Sequence, residues 1–124
     1  NICFCMNYLK RLQSNIFLMA YRIFKTAEFD SDYAGLQKPD RLRVDKFLAQ
    51  LREKGGAVGK PLSGLPFFRE KKFDGNRLYY LVYETHFVVL AVAISDKKAQ
   101  QATINQILRE LDAYKNYVEE LVKK

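Results

Sequence analysis

Histidine and cysteine are scarce in this chain, and their scarcity excludes several chemistries at once. His86 is the only histidine in 124 residues, and the two cysteines, Cys3 and Cys5, both stand within the first five positions. One C-x-C pair without a second Cys or His cluster lacks the ligand spacing of a zinc site, and it is no disulfide framework. A single histidine in a turn-forming stretch is ordinarily solvated, which leaves no base for a Ser-His-Asp or Cys-His arrangement. No H-E-x-x-H run or paired-aspartate motif is present, so neither a metal nor a cofactor is expected. A phosphate loop fails on its own spacing. Around Gly59-Lys60 the pattern needs glycine at 54 and serine or threonine at 61, and those positions are Lys54 and Pro61.

Long apolar runs are missing too. Residues 1–18 carry Ile2, Phe4, Leu9, Leu12, Ile16, Phe17 and Leu18, but Lys10 and Arg11 interrupt them. The roughly 18–20 apolar residues that span a bilayer are not reached, and the basic pair sits mid-segment rather than ahead of an apolar core as in a signal peptide. Ala20 to Lys25 already reads as an opening strand. Two readings of residues 1–18 stay open, a short amphipathic helix or an upstream extension irrelevant to function with Met19 as the natural start, and residues 19–124 are expected to form a single domain. No internal repeat or low-complexity segment divides it.

Charge of one sign is present in excess. The 21 Lys and Arg against 14 Asp and Glu give a net charge of +7, which suggests a polyanionic partner. Apolar residues make up 48 % of the chain, enough for a core that needs no disulfide or metal.

Periodicity outlines an α+β order. Tyr21, Ile23 and Lys25 alternate with Arg22 and Phe24 in a strand, and Thr26 is placed to cap the helix that follows. Phe29, Tyr33 and Leu36 share one face of that helix, which Lys38-Pro39-Asp40 ends. A second helix over 40–54 buries Val44, Phe47, Leu48 and Leu51 and stops at Gly55-Gly56, completing a helical hairpin. After a glycine- and proline-rich loop to Pro66, three strands are expected at 67–73, 77–84 and 86–95, joined at Asp74-Gly75-Asn76 and Thr85-His86. The run Phe87 to Ile94 is apolar on both faces and belongs at the sheet centre. This three-stranded antiparallel meander joins the first strand in a four-stranded sheet covered on one face by the hairpin. A long final helix over 97–123 follows, capped by Ser95 or Asp96. Its stripe Ile107, Leu111, Tyr114, Val118 and Leu121 runs at heptad spacing, and its second half is expected to project and pair with a partner or a second copy.

Basic and tyrosine side chains gather on the meander. Arg69 and Lys71 share a strand face, opposite Lys72, while Arg77, Tyr79 and Tyr83 share a face, opposite Tyr80. Lys60 precedes the sheet, and Lys97 and Lys98 follow it. An open sheet face of this composition would neutralise phosphates and stack bases.

Taken together, several motifs resemble those of the RelE/ParE superfamily of toxins. Gly59-Lys60-Pro61-Leu62-Ser63-Gly64 is similar to that family's G-K-P-L-x-G. Phe68-Arg69-Glu70-Lys71 resembles the basic strand that follows, and Tyr79-Tyr80-Leu81-Val82-Tyr83 resembles Y-R-L-V-Y. Val92 to Lys98 resembles the last strand with its basic exit. The matching stretch is 21–104.

This resemblance implies a RelE-like fold and a cytoplasmic toxin restrained by a cognate antitoxin. It also implies cleavage of mRNA on the ribosome without a metal, with no membrane role. By position it implies catalytic roles for Arg69, Lys71 and Lys98, with Arg77 as a substitute for the strand arginine; the basic and tyrosine pattern adds Lys60, Lys72, Tyr80, Tyr83 and Lys97 as expected RNA-binding residues. Two positions depart from the pattern. Tyr80 stands where the strand arginine belongs, and Ile104 where a tyrosine or histidine is often found. Those departures favour the alternatives: a ParE-like toxin of DNA gyrase without nuclease activity, or an inactive antitoxin-binding or dimerising module.

Overall fold

The computed structural model describes residues 20–55 and 58–123. Residues 1–18 (read as a short helix or an upstream extension, and holding the C-x-C pair), Met19 and Gly56, expected to help end the second helix, lie outside the described residues. In chain order the elements are β1 (Arg22–Lys25), α1 (Ala27–Ala34), α2 (Lys38–Lys54), β2 (Lys60–Leu62), β3 (Leu65–Phe73), β4 (Asn76–Tyr83), β5 (Val88–Asp96), α3 (Gln100–Arg109) and α4 (Leu111–Val122). The strands form one sheet in the order β1-β5-β4-β3-β2, with β1 parallel to β5 and the remaining pairs antiparallel. Among the described residues no helix is long and apolar enough to cross a membrane.

The Thr26 cap forms as its sequence position requires. Its hydroxyl accepts from the Phe29 amide at 3.1 Å and donates to the Val92 carbonyl at 2.8 Å, tying the start of α1 to the central strand. Pro39 does not interrupt a helix. It lies in the first turn of α2, where its missing amide hydrogen costs nothing.

The β3–β4 turn is tighter than expected. Phe73 pairs with Asn76, leaving Asp74 and Gly75 as a two-residue loop with φ of 48° and 81°, the combination that matches strand twist. The β4–β5 connection instead passes through a short 3₁₀ turn, Glu84–His86, and a left-handed Phe87.

Four expectations need correction. The sheet has five strands, because Lys60–Leu62 pairs with β3 across the turn Ser63-Gly64. Pro61 and the surrounding glycines disguise this strand, although proline is acceptable on a sheet edge. Second, both faces of the sheet are covered. Leu78, Tyr80, Val82, Val89 and Ala91 pack under α1 and α2, while Phe68, Tyr79, Leu81, Val88 and Leu90 pack under α3 and α4.

Third, the last helix is two helices, broken at Glu110 (φ −110°, ψ 15°), where the Glu110 amide closes back on the Ile107 carbonyl at 3.0 Å. A straight helix over the same residues would run about 34 Å, whereas five strands span about 19 Å. The bend keeps the stripe on the sheet. Fourth, the second half does not project: Ile107 and Val118 are buried and Leu111 and Tyr114 pack beside them, so these four of the five stripe residues serve the chain's own core, while Leu121 is not part of that cluster.

β5 also carries one extra residue. Tyr79 pairs with Ala93 and Tyr80 with Ala91, so Val92 has no opposite residue on β4. Val92 and Ala93 consequently both face α3 and α4, and Ser95 comes onto the same side as Tyr79.

Two substitutions test this packing. Val118→Ala should cost about 2 kcal/mol in urea unfolding, while Tyr117→Ala, at a 44 % exposed position, should stay within about 0.5 kcal/mol; equal costs would show that α4 is not docked. Gly59 has φ of 83°, and a Cβ there would lie 1.9 Å from the Tyr80 hydroxyl, whereas a Cβ at Gly64 meets nothing. Gly59→Ala should therefore cost about 3 kcal/mol and Gly64→Ala about 1 kcal/mol, measured the same way.

Candidate nucleic-acid interface

The strand register divides the basic residues between the two faces. Cross-strand partners share a face, so the pairs Arg69–Tyr80 and Lys71–Leu78 place Arg69 and Lys71 on the α1/α2 side. The pairs Glu70–Tyr79, Lys72–Arg77 and Arg77–Ser95 place Glu70, Lys72, Arg77 and Ser95 on the α3/α4 side. Lys60 pairs with Glu70 and shares that side. The four residues expected to be catalytic are thus not one constellation: Arg77 is separated by the sheet from Arg69 and Lys71.

Arg69 is engaged by backbone. Its guanidinium donates to the carbonyls of Val58 (2.9 Å), Pro66 (2.9 Å) and Gly59 (3.0 Å). The Tyr80 hydroxyl donates to the same Val58 carbonyl at 2.5 Å. Tyr80 is fully buried, edge-on to Phe47 at 5.6 Å between ring centroids, so it has no face to offer a base. Burial pushes its phenol up to about 12, with the Arg69 charge and hydrogen bonding pulling the other way. Tyr80 and Arg69 together hold the segment that carries Lys60 against the sheet edge.

The α3/α4 face changes character along its length. Phe68, Leu81 and Leu90 are core. Farther along, toward the Asp74-Gly75 turn, the same face carries Glu70, Tyr79 and Ser95, then Lys72 and Arg77. Glu70 is 3 % exposed; its carboxylate accepts one hydrogen bond, from the Gln100 amide at 3.3 Å, and takes part in no ion pair among the described residues. Arg77 is 8 % exposed and donates to the Gly75 carbonyl at 3.2 Å, while its buried Nε has no hydrogen-bond partner among the described residues.

The Tyr79 and Ser95 hydroxyls lie 2.9 Å apart. Burial raises the Tyr79 phenol, Glu70 adds to the rise, and the Ser95 hydrogen bond and Arg77 charge oppose it. At the sheet edge a cleft of about 390 Å³ is lined by Gly59, Lys60, Glu70, Lys71 and Lys72. Lys60 and Lys72 flank the Glu70 carboxylate on its own face, an arrangement that suits a phosphodiester with a proton to lose.

Lys97 and Lys98 are exposed in the turn after β5, beside the Asn76–Asp96 pair. The Asp96 carboxylate accepts from the Ala99 amide at 2.9 Å and caps this turn, but α3 itself starts at Gln100, and Ala99 in the N-cap position supplies no side-chain cap. Tyr83 lies six residues from Arg77, about 20 Å along the strand, and is half-buried beside Tyr114. It is not brought to the cationic end.

Sequence reasoning missed Glu70 and Gln100. The strand alternation placed position 70 with Lys72, but a carboxylate inside a basic strand looks like a solvated charge, and its partner stands 30 residues away.

No protein-family model matches the chain and no curated protein matches it in sequence. Solved structures do match. The isolated E. coli RelE toxin is 20 % identical with a TM-score of 0.57, covering 71 % of this chain and 99 % of its own. A double variant of E. coli RelE in the free state is 22 % identical with a TM-score of 0.63, covering 73 % and 97 %. The toxin of the RelBE2 toxin–antitoxin complex from Mycobacterium tuberculosis is 21 % identical with a TM-score of 0.55, covering 63 % and 92 %. These likenesses and the strand order define the architecture: a five-stranded α+β sheet with a helical hairpin on one face and α3 and α4 on the other. The chain has the RelE-like toxin fold.

The clamp gives two expectations. Arg69→Ala should cost about 2–3 kcal/mol and speed amide exchange in β2, whereas Tyr80→Phe, which leaves Val58 its Arg69 donor, should cost about 1 kcal/mol; unchanged β2 exchange in Arg69→Ala would show the clamp to be idle. Tyr80 also links stability to alkaline pH. Its pKa is raised on folding from 10.0 to about 12, so its contribution is full below pH 10 and is lost toward pH 12. Urea midpoints across that window should fall less in Tyr80→Phe than in the parent chain.

Proposed function

We propose that this chain is the toxin of a toxin–antitoxin pair and cleaves mRNA on the ribosome without a metal ion, restrained by a cognate antitoxin protein. The observation that carries the reading is the buried Glu70 carboxylate set among Lys60, Lys72 and Arg77 at one end of a RelE-like sheet. The structural neighbours support the partner: E. coli RelE is seen with a peptide of its antitoxin RelB. A ribosome-directed reaction places the protein in the cytoplasm.

Cleavage by internal transesterification needs three services. The 2′-OH must lose its proton, the pentacoordinate phosphorus must have its extra negative charge met, and the 5′ oxygen must gain a proton as its bond to phosphorus breaks. Glu70 takes the 2′-OH proton as the new P–O2′ bond forms. Lys72 and the Arg77 Nε–H face the phosphoryl oxygens. Lys60, opposite Glu70, returns a proton to the departing 5′ oxygen, leaving a 2′,3′-cyclic phosphate. One proton is taken and one is given, so the enzyme needs only proton exchange with water to reset. Lys97 and Lys98 hold flanking phosphates. Arg69 acts through the loop it fastens rather than on RNA. This arrangement replaces the arginine that Tyr80 displaces in the strand motif with Arg77 on the opposite face.

Primer extension on translating ribosomes with the purified protein tests this directly. Codon-positioned cuts are expected, reduced about 10²–10⁴-fold by Glu70→Gln and by Arg77→Ala. Intact mRNA together with inhibited supercoiling by gyrase would replace the nuclease with a ParE-like activity. Intact mRNA without it would leave an antitoxin-binding module.

A further inference from the structure

The extra residue in β5 decides which side chain stands beside Arg77. From Tyr83 to Tyr80 the β4–β5 ladder is unbroken, with Tyr83 opposite Val88 and Tyr80 opposite Ala91. Continued without interruption, it would set Ile94 opposite Arg77, and Asp96, two residues on, would share that face. The bulge at Val92 shifts the register by one. Ser95 becomes the partner of Arg77, Ile94 packs on the α1/α2 side, and Asp96 pairs with Asn76, off the face that Arg77 occupies. One row across β3, β4 and β5 therefore reads Lys72, Arg77, Ser95.

We infer that Ser95 is a further phosphate-binding residue, set beside Arg77 by the β5 bulge, and that the same bulge keeps the Asp96 carboxylate out of the site. The inference rests on reading this end of the sheet as a phosphodiester site. Arg77 is 8 % exposed, and its buried Nε–H has no partner among the described residues, a donor that an anion would satisfy. Isoleucine in the place of Ser95 would add no donor. A carboxylate on that face would neutralise Arg77 and repel a phosphate. Asp96 is instead engaged by the Ala99 amide at 2.9 Å. The half-buried Ser95 hydroxyl lies 2.9 Å from that of Tyr79 and donates to the Asp96 carbonyl at 3.1 Å. With the serine hydrogen placed there, Tyr79 is the donor and fixes the serine oxygen. A hydroxyl rotates, so that hydrogen is free to leave a neighbouring carbonyl for a phosphoryl oxygen, where the bond is charge-assisted. Two cations and one neutral donor then face the same anion.

The test uses the full chain with isotope-labelled arginine side chains. Its probe is a mixed-sequence RNA oligonucleotide carrying 2′-O-methyl groups, which has the phosphodiesters but no 2′-OH to attack them. The Arg77 Nε–H signal should move on binding. Ser95→Ala should bind about tenfold more weakly, Ser95→Thr close to the parent chain, and Ser95→Asp about a hundredfold more weakly. If Ser95→Asp does not keep the parent melting temperature, Ser95→Val against Ser95→Thr supplies the comparison, since the two side chains share a shape and only one has a hydroxyl. An Arg77 signal that stays still, or equal affinity with and without the hydroxyl, would overturn the inference. Primer extension keeps the two readings apart. Intact mRNA with Ser95-dependent binding removes the nuclease and leaves the phosphate site, whereas cut mRNA with binding indifferent to Ser95 removes only the role of Ser95.

Discussion

Val88 to Val92 expose no side chain on either face of β5, and the remaining architecture answers to that constraint. A strand apolar on both sides needs a neighbour on each edge and cover on each face. β1 and β4 supply the edges, α1 and α2 one layer, and α3 and α4 the other. The bend at Glu110 belongs to the same layer, where Ile107 and Val118 are both buried against the sheet. At the far end of β3 and β4 the covered face turns polar, with Glu70 and Arg77 buried there.

That polar end and the opposite face divide one basic strand between two tasks. β3 sends Glu70 and Lys72 to one side and Arg69 and Lys71 to the other, as any strand must. Neighbouring cations in sequence therefore serve different surfaces. Arg69 is held by carbonyls and fastens the loop, Lys71 lies over Phe47, and Lys72 stands beside Arg77. The G-K-P-L-S-G motif takes on a physical meaning in the same setting. Gly59 leaves space for the Tyr80 hydroxyl, and Ser63-Gly64 turns the chain so that β2 can pair with β3.

Much of the fold was legible in the residues themselves. Alternation marked β1, β3 and β4, the Phe87 to Ile94 run marked a central strand, and Thr26, Asp74 and Gly75 announced a cap and a turn. Each of those signals is local, carried by side-chain periodicity or by backbone preference within a few residues. The alternation also separated Arg69 and Lys71 from Lys72, and Tyr80 from Arg77, correctly. It said nothing about which face of β3 matches which face of β4, because register is set by the turn between them and by packing on both sides.

Composition and periodicity by themselves determined the α+β order, the positive charge, the central strand and the set of residues from which any site must be drawn. Tertiary structure alone decided the grouping. It made Tyr80 a buried fastening rather than a stacking platform, carried Glu70 to Gln100, and folded the last helical stripe onto the chain's own sheet. The physical reason is that burial and pairing depend on contacts between residues far apart in the chain. A carboxylate in a basic strand reads as a solvated charge until the helix that closes over it is in place.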